Sequence, residues 1–340
     1  MPEPALRRAP AAAAPSSGRA RRLAADRRDV LVVLGLAVLA AGAIAAYLLI
    51  GVSGNVGYIM GRRAASVTAL VLVAAAIAVS TVVFQTLTAN RILTPSIMGF
   101  DSLYVLLQTA AIHIFGTVGL ASLGAVPRFL VEVLALLVLA TLLYSRMLAG
   151  RVDLTKLLLV GVVIGMLFRG LSSFLSRVLS PDAFLVLQDR TFASFSRVPG
   201  ELLAPAAALL AIGIAMVALE RRRLDVLALG PDIARGLGVD PDRIRVRMLA
   251  VVALMVAVST ALVGPITFFG LIVAHVAYLL VRNQRHTLVL PAAACTAVAA
   301  LVGGQAVLEH LIPIEASLSI IIELVGGLVF IALVLRRPRA

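Results

Sequence analysis

Residues 224–241 read LDVLALGPDIARGLGVDP and separate two long apolar runs, residues 202–220 and 244–263. Glycine, proline and aspartate recur in this stretch at the spacing of short, capped helices. The dipeptide Gly230-Pro231 joins its two halves, because glycine favours the end of a helix and proline favours the start of one. The pattern predicts two short helices that project between two apolar segments.

Particular residues mark the ends of both short helices. Asp225 is expected to cap a one-turn helix that stops at Gly230. Pro231 has a fixed φ that suits the first turn of the second helix, which Gly236 or Gly238 would end. Such a compact element is typical of a docking surface. The alternative is a structured loop that only joins two apolar segments.

The composition indicates the class of protein. Of the 340 residues, 61% are hydrophobic and 14% are charged, and the mean hydropathy is +1.06. Soluble domains carry about 25% charged residues, so the chain is predicted to be an integral membrane protein. The single cysteine, Cys295, excludes an intrachain disulfide and a cysteine-based metal cluster.

Ten apolar runs predict an all-α polytopic membrane protein with about ten transmembrane helices. The runs cover residues 30–50, 66–84, 96–115, 129–148, 155–178, 202–220, 244–263, 266–281, 288–308 and 317–335. Residues 1–28 are rich in Pro, Ala and Arg and predict a disordered basic cytoplasmic tail before a transmembrane domain at 29–337. The first run could also be a secretion signal, but its length favours an uncleaved helix.

The positions of the basic residues predict the orientation. The net charge of +13 would suit a nucleic-acid-binding protein, but the charges lie in the gaps between apolar runs. With the N-terminus inside, 23 of the 30 Lys and Arg residues fall in the tail or in cytoplasmic connections. Basic residues concentrate on the cytoplasmic side of membrane proteins, so both termini and residues 224–241 are predicted to be cytoplasmic.

The sequence contains no recognisable catalytic motif. It has no G-x-x-x-x-G-K-[ST] phosphate loop, so this chain is not expected to bind ATP in that way. Its histidines, His113, His275, His286 and His310, are scattered rather than spaced as metal ligands. Neither a metal site, a cofactor nor an enzymatic activity is predicted. A transporter is the simplest interpretation, powered by an ion gradient or by a separate ATPase.

Three stretches follow patterns that one family of membrane proteins shares. Residues 85–99, QTLTANRILTPSIMG, resemble the pattern Q-x-x-x-x-N-P-L-A-x-P-x-x-L-G. Residues 224–241 resemble L-x-L-G-x-x-x-A-x-x-L-G-V, and residues 264–275, GPITFFGLIVAH, are similar to G-x-I-x-F-I-G-L-x-x-P-H. Together they resemble the FecCD family, the membrane subunits of ABC importers for ferric siderophores, haem and cobalamin.

The resemblance implies a permease of the cobalamin and siderophore importer type in a bacterial inner membrane. It implies a ferric siderophore as substrate, separate ABC ATPase subunits that bind the ATP, an extracytoplasmic binding protein and a second permease subunit. The alternative is a secondary transporter driven by an ion gradient, which would leave residues 224–241 without a role.

Several residues depart from the family pattern. The family's Asn-Pro is Asn90-Arg91 here, its Pro-His is Ala274-His275, and its usual Arg three residues later is Tyr278. These variants resemble one branch of the family, whose members import ferric complexes of catecholate-type siderophores. The branch also implies pairing with a different permease in a heterodimer.

Residues 224–241 are expected to carry the contacts with the ATPase subunits. An apolar set gives the element a surface that a groove can bury, and its members are Leu227, Leu229, Ile233, Ala234, Leu237 and Val239. The expected coupling positions are Leu229, Gly230, Ala234, Leu237 and Gly238. ATP-driven closure of the ATPase pair would move this element and tilt the helices around the translocation path.

Arg62 and Arg63 precede the second apolar run, on the predicted outer side. In FecCD proteins, arginines at this position pair with glutamates of the binding protein, and the resemblance implies the same role here. Exposed charges speed and orient an encounter more than they tighten it. The alternative is a simple anchor at the membrane interface.

Arg169 lies about twelve residues into the fifth run, near mid-bilayer at a rise of about 1.5 Å per residue. An unpaired charge at that depth is costly. One interpretation is a buried ion pair with Glu323, Asp101 or Glu132. The other is a cation in the translocation path, which suits an anionic ferric complex. Gln85 is the second residue expected in the path.

Overall fold

The computed structural model describes residues 16–52, 55–148, 154–195, 198–311 and 318–335; for 16–26, 144–148, 154–158, 311, 333 and 334 it describes the helical backbone alone. All regular structure in these ranges is helical, as predicted. The helices are α1 (Ser16–Leu49), α2 (Val56–Leu87), α3 (Phe100–Ser122), α4 (Ala125–Leu148), α5 (Leu154–Ser176), α6 (Pro181–Thr191), α7 (Leu203–Leu227), α8 (Pro231–Gly236), α9 (Pro241–Val263), α10 (Phe269–Leu280), α11 (His286–Leu311) and α12 (Leu318–Leu335).

Eight of these helices are long and apolar enough to cross a membrane, namely α1, α2, α3, α4, α5, α7, α9 and α11. The apolar helices α10 and α12 are shorter. α10 therefore covers only part of the apolar run at residues 266–281. α10 has 12 residues and a length of about 18 Å, against a hydrocarbon core of about 30 Å. Gly264 and Phe268, with φ values of 100° and 61°, keep the residues between them out of the helix.

α2 and α9 form the centre of the bundle. In the most apolar window of each, 72% of the residues are buried, against 11% in α1. Small and β-branched side chains fill α2, as in residues 73–83, VAAAIAVSTVV, so neighbouring helices approach it closely. Exposed side chains on the outer helices, such as Val118 and Leu219, are apolar as well. This pattern fits a surface that faces lipid.

α3 and α10 begin next to each other inside the bundle. Each follows a residue with a positive φ, Gly99 (98°) and Phe268 (61°). The Thr267 hydroxyl donates a hydrogen bond to Asp101 Oδ2 over 3.1 Å. Gly326 of α12 packs so closely on this junction that a Cβ there would collide with the Cβ of Phe268. A glycine in α12 thus permits the contact with the start of α10.

The N-terminal helix is longer than predicted. α1 begins at Ser16, so residues 16–28 are helical rather than part of a disordered tail, whereas residues 1–15 lie outside the described residues. Ala, Arg and Leu fill this stretch and are among the strongest helix formers. The Asp29 carboxylate accepts hydrogen bonds from the main-chain N–H groups of Arg282 (3.2 Å) and Asn283 (2.7 Å). It thereby ties α1 to the loop before α11.

Candidate functional site

α7 extends further along the chain than expected. It continues to Leu227 without a break, so the predicted one-turn helix from Asp225 to Gly230 is the last turn of α7 instead. The reason is local, because neither glycine nor proline interrupts residues 219–227, LERRRLDVL. Asp225 is therefore a helical residue rather than a cap of its own helix, and its carboxylate is directed to another helix.

α8 has the predicted form. Gly230, at a φ of 109°, turns the chain, and Pro231 occupies the first turn of the helix. After α8, Gly238 adopts a φ of 78°, and the N–H of Val239 returns a hydrogen bond to the Ala234 carbonyl over 2.9 Å. Both turns require positive φ values, which glycine adopts without steric cost. We refer to this side of the molecule as the α8 end of the bundle.

The outer face of α8 is apolar and exposed. Leu229, Ile233 and Leu237 are 58%, 54% and 60% exposed. Leu227 and Ala234 are buried, so they do not belong to the exposed set that the sequence predicts. Ala234 lies on the inner side of α8, which packs on α7 and α9. The small side chain of Ala234 allows that close packing. Only the three exposed residues, Leu229, Ile233 and Leu237, are accessible for direct contact with a partner at this face.

A chain of hydrogen bonds connects the end of α7 to α11 and α2. Asp225 Oδ1 lies 2.8 Å from the main-chain N and 2.6 Å from Nδ1 of His286, the first residue of α11. His286 Nε2 lies 2.8 Å from the Thr86 hydroxyl, near the end of α2. A carboxylate only accepts hydrogen bonds, so Nδ1 carries a proton. We call these three residues the α7–α11–α2 link.

A cavity of about 270 Å³ adjoins this link at the α8 end. Gln85 lines it and is 2% exposed, and its Nε2 donates a hydrogen bond to the Arg91 carbonyl over 2.7 Å. Tyr278 and Ala228 also line the cavity. The guanidinium carbon of Arg91 lies 4.6 Å from the centre of the Tyr278 ring, a cation–π arrangement. Gln85, expected in the translocation path, thus lines the same cavity as Ala228, in the connection between α7 and α8.

Arg169 has no carboxylate partner within ion-pair distance among the described residues. Its Nε donates a hydrogen bond to the Ser102 hydroxyl over 3.3 Å, and its side chain lies on the exposed face of α5. Glu132 pairs with Arg128 instead, over 3.0 Å. Glu323 is exposed on α12. The buried ion pair that the sequence offers as one interpretation therefore does not form within this part of the chain.

Comparison with known proteins identifies the family. A profile described as the FecCD transport family matches residues 30–336, which is nearly the whole chain. The chain belongs to the FecCD transport family. The sequence-based assignment to this family is confirmed.

Relatives of the chain are permeases of import systems. It is 40% identical over 316 residues to the petrobactin import system permease protein YclO of Bacillus subtilis, covering 93% of this chain and 99% of that one. It is 32% identical over 280 residues to the petrobactin import system permease protein FatC of Bacillus anthracis, covering 82% of this chain and 79% of that one. The fold resembles that of a metal-chelate-type ABC transporter in an inward-facing conformation, with a TM-score of 0.76, 23% identity, and coverage of 91% and 100%.

Two departures from the FecCD pattern lie in contact. Arg91 stands where the pattern has proline, and Tyr278 stands where it has arginine. These are the two side chains of the cation–π pair at the cavity. In this chain the guanidinium beside the cavity comes from Arg91 in the α2–α3 connection, and the α10 position carries a tyrosine ring. The sequence shows both departures, but only the fold brings them together.

Arg63 closes the C-terminal end of α1. Its Nη1 donates hydrogen bonds to the carbonyl oxygens of Tyr47 (3.2 Å), Leu48 (3.1 Å) and Ile50 (2.6 Å). Its Nη2 lies 3.1 Å from His310 Nε2. The last carbonyl groups of a helix lack hydrogen-bond donors within the helix, and the Arg63 guanidinium provides donors for them. The side chain expected to dock a binding protein is therefore already engaged within the FecCD chain itself.

Arg62 differs from its neighbour. It lies in the second turn of α2 and is exposed, whereas Arg63 is half-buried. Since both positions belong to one helical turn at the end opposite to α8, they make a natural pair for comparison. The expected docking role fits Arg62.

Sequence reasoning missed a charged cluster at that opposite end. Arg190 Nη1 donates a hydrogen bond to Gln108 Oε1 over 3.0 Å and lies 3.7 Å from Glu132 Oε1. Burial lowers the pKa of Arg190 below its ordinary value, and the neighbouring Arg128 guanidinium lowers it further. The cluster lines a cavity of about 290 Å³. The short helix α6, with Arg190 in its last turn, was the available signal.

Proposed function

We propose that this FecCD chain is the permease subunit of an ABC importer that carries a ferric siderophore of the catecholate type into a bacterial cytoplasm. The observation that carries the proposal is the 40% identity to a petrobactin import permease over nearly the full length of both chains. The FatC relationship points to the same substrate class. Neither the family nor these relatives favours the alternative of an ion-gradient-driven transporter.

The α8 end is then the cytoplasmic end, as the basic residues around residues 224–241 predict. In this proposal an ATPase subunit covers Leu229, Ile233 and Leu237, whose exposure to water would otherwise be unfavourable. Gly230 and Gly238 hold α8 at the angle that this docking needs. ATP is bound by the partner, and this chain catalyses no covalent step and needs no cofactor of its own.

The α7–α11–α2 link gives the docking a mechanical consequence. A displacement of α8 is passed to α7, to which α8 is joined by only three residues, 228–230. Asp225 transmits it to His286 at the start of α11, and His286 transmits it to Thr86 in the central helix α2. Short hydrogen bonds to buried groups resist separation, so the three helices move together.

The opposite end would face the binding protein, with Arg62 as the exposed cation of the pair. Its positive charge would orient a binding protein that carries carboxylates at the matching position. Arg169 would lie along the path, because a guanidinium exposed on a membrane helix needs water, a ligand or a partner subunit around it. The apolar, exposed faces of α5 and α12 suit contact with a second permease in a heterodimer.

Reconstitution tests the proposal. The chain is co-expressed with a second permease and an ABC ATPase of the same import system, and the complex is placed in proteoliposomes with the binding protein outside. Uptake of ferric petrobactin is expected only with ATP inside, and vanadate should abolish it. Uptake that follows a proton or sodium gradient without ATP would instead establish the secondary transporter.

A further inference from the structure

A small polar cavity lies inside the bundle, at the junction where α3 and α10 begin. Its volume is about 20 Å³, and residues of α2, α9 and the start of α3 form its wall. Six of these residues carry a side-chain oxygen, namely Ser80, Thr81, Ser96, Asp101, Ser259 and Thr260. Buried polar groups need partners, so a cavity with so many oxygens in its wall suits a polar or charged occupant.

The oxygens of the wall are mainly available as acceptors. The Ser80 hydroxyl donates to the Ile77 carbonyl over 3.1 Å, and the Ser259 hydroxyl donates to the Val256 carbonyl over 3.0 Å. A hydroxyl has one proton, so both oxygens can only accept from an occupant, as can the Asp101 carboxylate. The cavity therefore suits an occupant that attracts several oxygen lone pairs at once.

Asp101 brings one negative charge to the wall of the cavity. Its Oδ2 accepts the hydrogen bond from Thr267 over 3.1 Å, and the Ser96 hydroxyl provides a second hydrogen bond. Hydroxyl donors stabilise a carboxylate but do not neutralise its charge. Within the described ranges no Lys, Arg or His side chain lies within ion-pair distance of Asp101, and Arg169 donates to Ser102 instead. A carboxylate inside a membrane bundle without a cationic partner is costly.

The size and the charge of the cavity together select the class of occupant. A cavity needs about 10–15 Å³ to hold one water molecule, so a volume of about 20 Å³ admits a single particle of that size. Water carries no charge and would leave the Asp101 carboxylate uncompensated. Ca²⁺ commonly takes several carboxylates, and Mg²⁺ keeps water molecules for which this cavity has no space. A dehydrated monovalent cation matches the single carboxylate.

The connection between α9 and α10, residues 264–268, completes the wall of the cavity. Gly264 and Ile266 line it, and the backbone of this connection is not helical. In membrane proteins, carbonyl groups of interrupted helices coordinate Na⁺. We propose that this cavity binds one alkali cation, with the Asp101 carboxylate as the anionic ligand and the hydroxyl oxygens as neutral ligands. The ion joins α2, α3 and α9 at the point where α10 begins.

Direct binding measurements test this inference. The permease complex in nanodiscs is incubated with radioactive Na⁺, with N-methylglucamine replacing Na⁺ at constant ionic strength. Saturable binding of one ion per copy of this chain is expected. Asp101→Asn removes the charge at nearly the same volume and should abolish this binding. Glu323→Gln removes an exposed carboxylate of α12 and should leave it unchanged.

Thermal unfolding of the same complex gives a second measurement. An ion that binds only the folded chain raises the melting temperature as its concentration rises. The melting temperature should be at least about 2 °C higher in NaCl or KCl than in N-methylglucamine chloride. Ser259→Ala removes one ligand oxygen and should raise the concentration of salt for half of this shift by about tenfold. Ser122→Ala, at an exposed position of α3, should not change it.

The results that overturn the inference are specific. If Na⁺ binding is not saturable and the melting temperature depends on ionic strength alone, the cavity holds water or Asp101 carries a proton. If Asp101→Asn keeps the bound ion, another site binds it. Where Asp101→Asn does not assemble, an unchanged salt dependence in Ser259→Ala contradicts the site.

The cation site and the proposed function fail in different ways. ATP-driven uptake by a complex that binds no alkali cation would refute the cation site alone. Uptake that follows a sodium gradient without ATP would refute the ABC importer, whether or not the cavity holds an ion.

Discussion

The Asp225 carboxylate near the end of α7 accepts two hydrogen bonds from His286 at the start of α11, one from the main-chain N–H over 2.8 Å and one from Nδ1 over 2.6 Å. One side chain thus caps another helix and orients the imidazole that reaches Thr86. Because the cap comes from a different helix, it fixes the position of α7 relative to α11. Breaking this contact should affect both stability and coupling.

Asp225→Ala is expected to destabilise the chain by about 2 kcal/mol, since it leaves the N–H groups of His286 without their acceptor. Thermal unfolding in detergent measures this loss. In proteoliposomes the variant should still bind the ATPase and hydrolyse ATP, but transport fewer substrate molecules per ATP. Asp232→Ala is the control, because the Asp232 side chain is 93% exposed and lies on α8 itself. Equal melting temperatures for the two variants would contradict the capping role.

Leu237→Asp should prevent association with the ATPase while the permease remains folded. The side chain is 60% exposed, so the substitution places a charge on the docking face without disturbing the core. Co-purification of the tagged ATPase is the measurement, and a loss of more than about tenfold in affinity is expected. Leu237→Met keeps an apolar side chain and should bind normally.

Arg62→Ala and Arg63→Ala should affect different properties of the protein, although the residues are neighbours. Arg63→Ala removes the donors to three carbonyl groups of the α1 end and is expected to cost about 1–3 kcal/mol of stability. Arg62→Ala should leave the melting temperature unchanged and slow association of the binding protein, most strongly at low salt. Stopped-flow association rates at several salt concentrations separate the two effects.

Gly326→Ala and Gly327→Ala form another matched pair. A Cβ at Gly326 would collide with the Cβ of Phe268, whereas nothing lies within 4 Å of a Cβ at Gly327. Gly326→Ala should therefore force α12 away from the start of α10 and lower the melting temperature, and overpacking of this kind typically costs about 1–3 kcal/mol. Gly327→Ala should be nearly neutral. A similar loss of stability in both variants would argue against the close contact.

Arg169→Gln distinguishes a residue of the path from a structural one. Within the described ranges the guanidinium hydrogen-bonds to Ser102 alone and is otherwise exposed on α5, so assembly and melting temperature should change little. Uptake of an anionic ferric complex should fall by at least about tenfold, because the attractive charge is lost. Arg169→Lys should retain part of the activity. Failure of the Gln variant to assemble would show that the charge is structural instead.

Much of this protein is specified by local sequence. The apolar runs have the length that a bilayer requires, so their periodicity and extent predict an all-α membrane protein before any contact is known. The turns at Gly230 and Gly238 depend on φ values that glycine adopts easily, which is why α8 and its exposed Leu237 could be expected from the sequence. The family followed from motifs that extend over most of the chain.

Other features were decided by tertiary structure alone. Asp225 and His286 are 61 residues apart, and no local pattern indicates that they form a hydrogen bond. A carboxylate five residues before Gly230 fits a cap of its own helix equally well, and only the packing of α7 against α11 selects the distant partner. The roles of Arg62 and Arg63 likewise differ because α1 ends beside Arg63 and not beside Arg62. Local propensity determined where the helices form. The packing of the helices determined which buried polar groups meet, because a buried polar group needs a hydrogen-bond partner and that partner can come from a distant part of the chain.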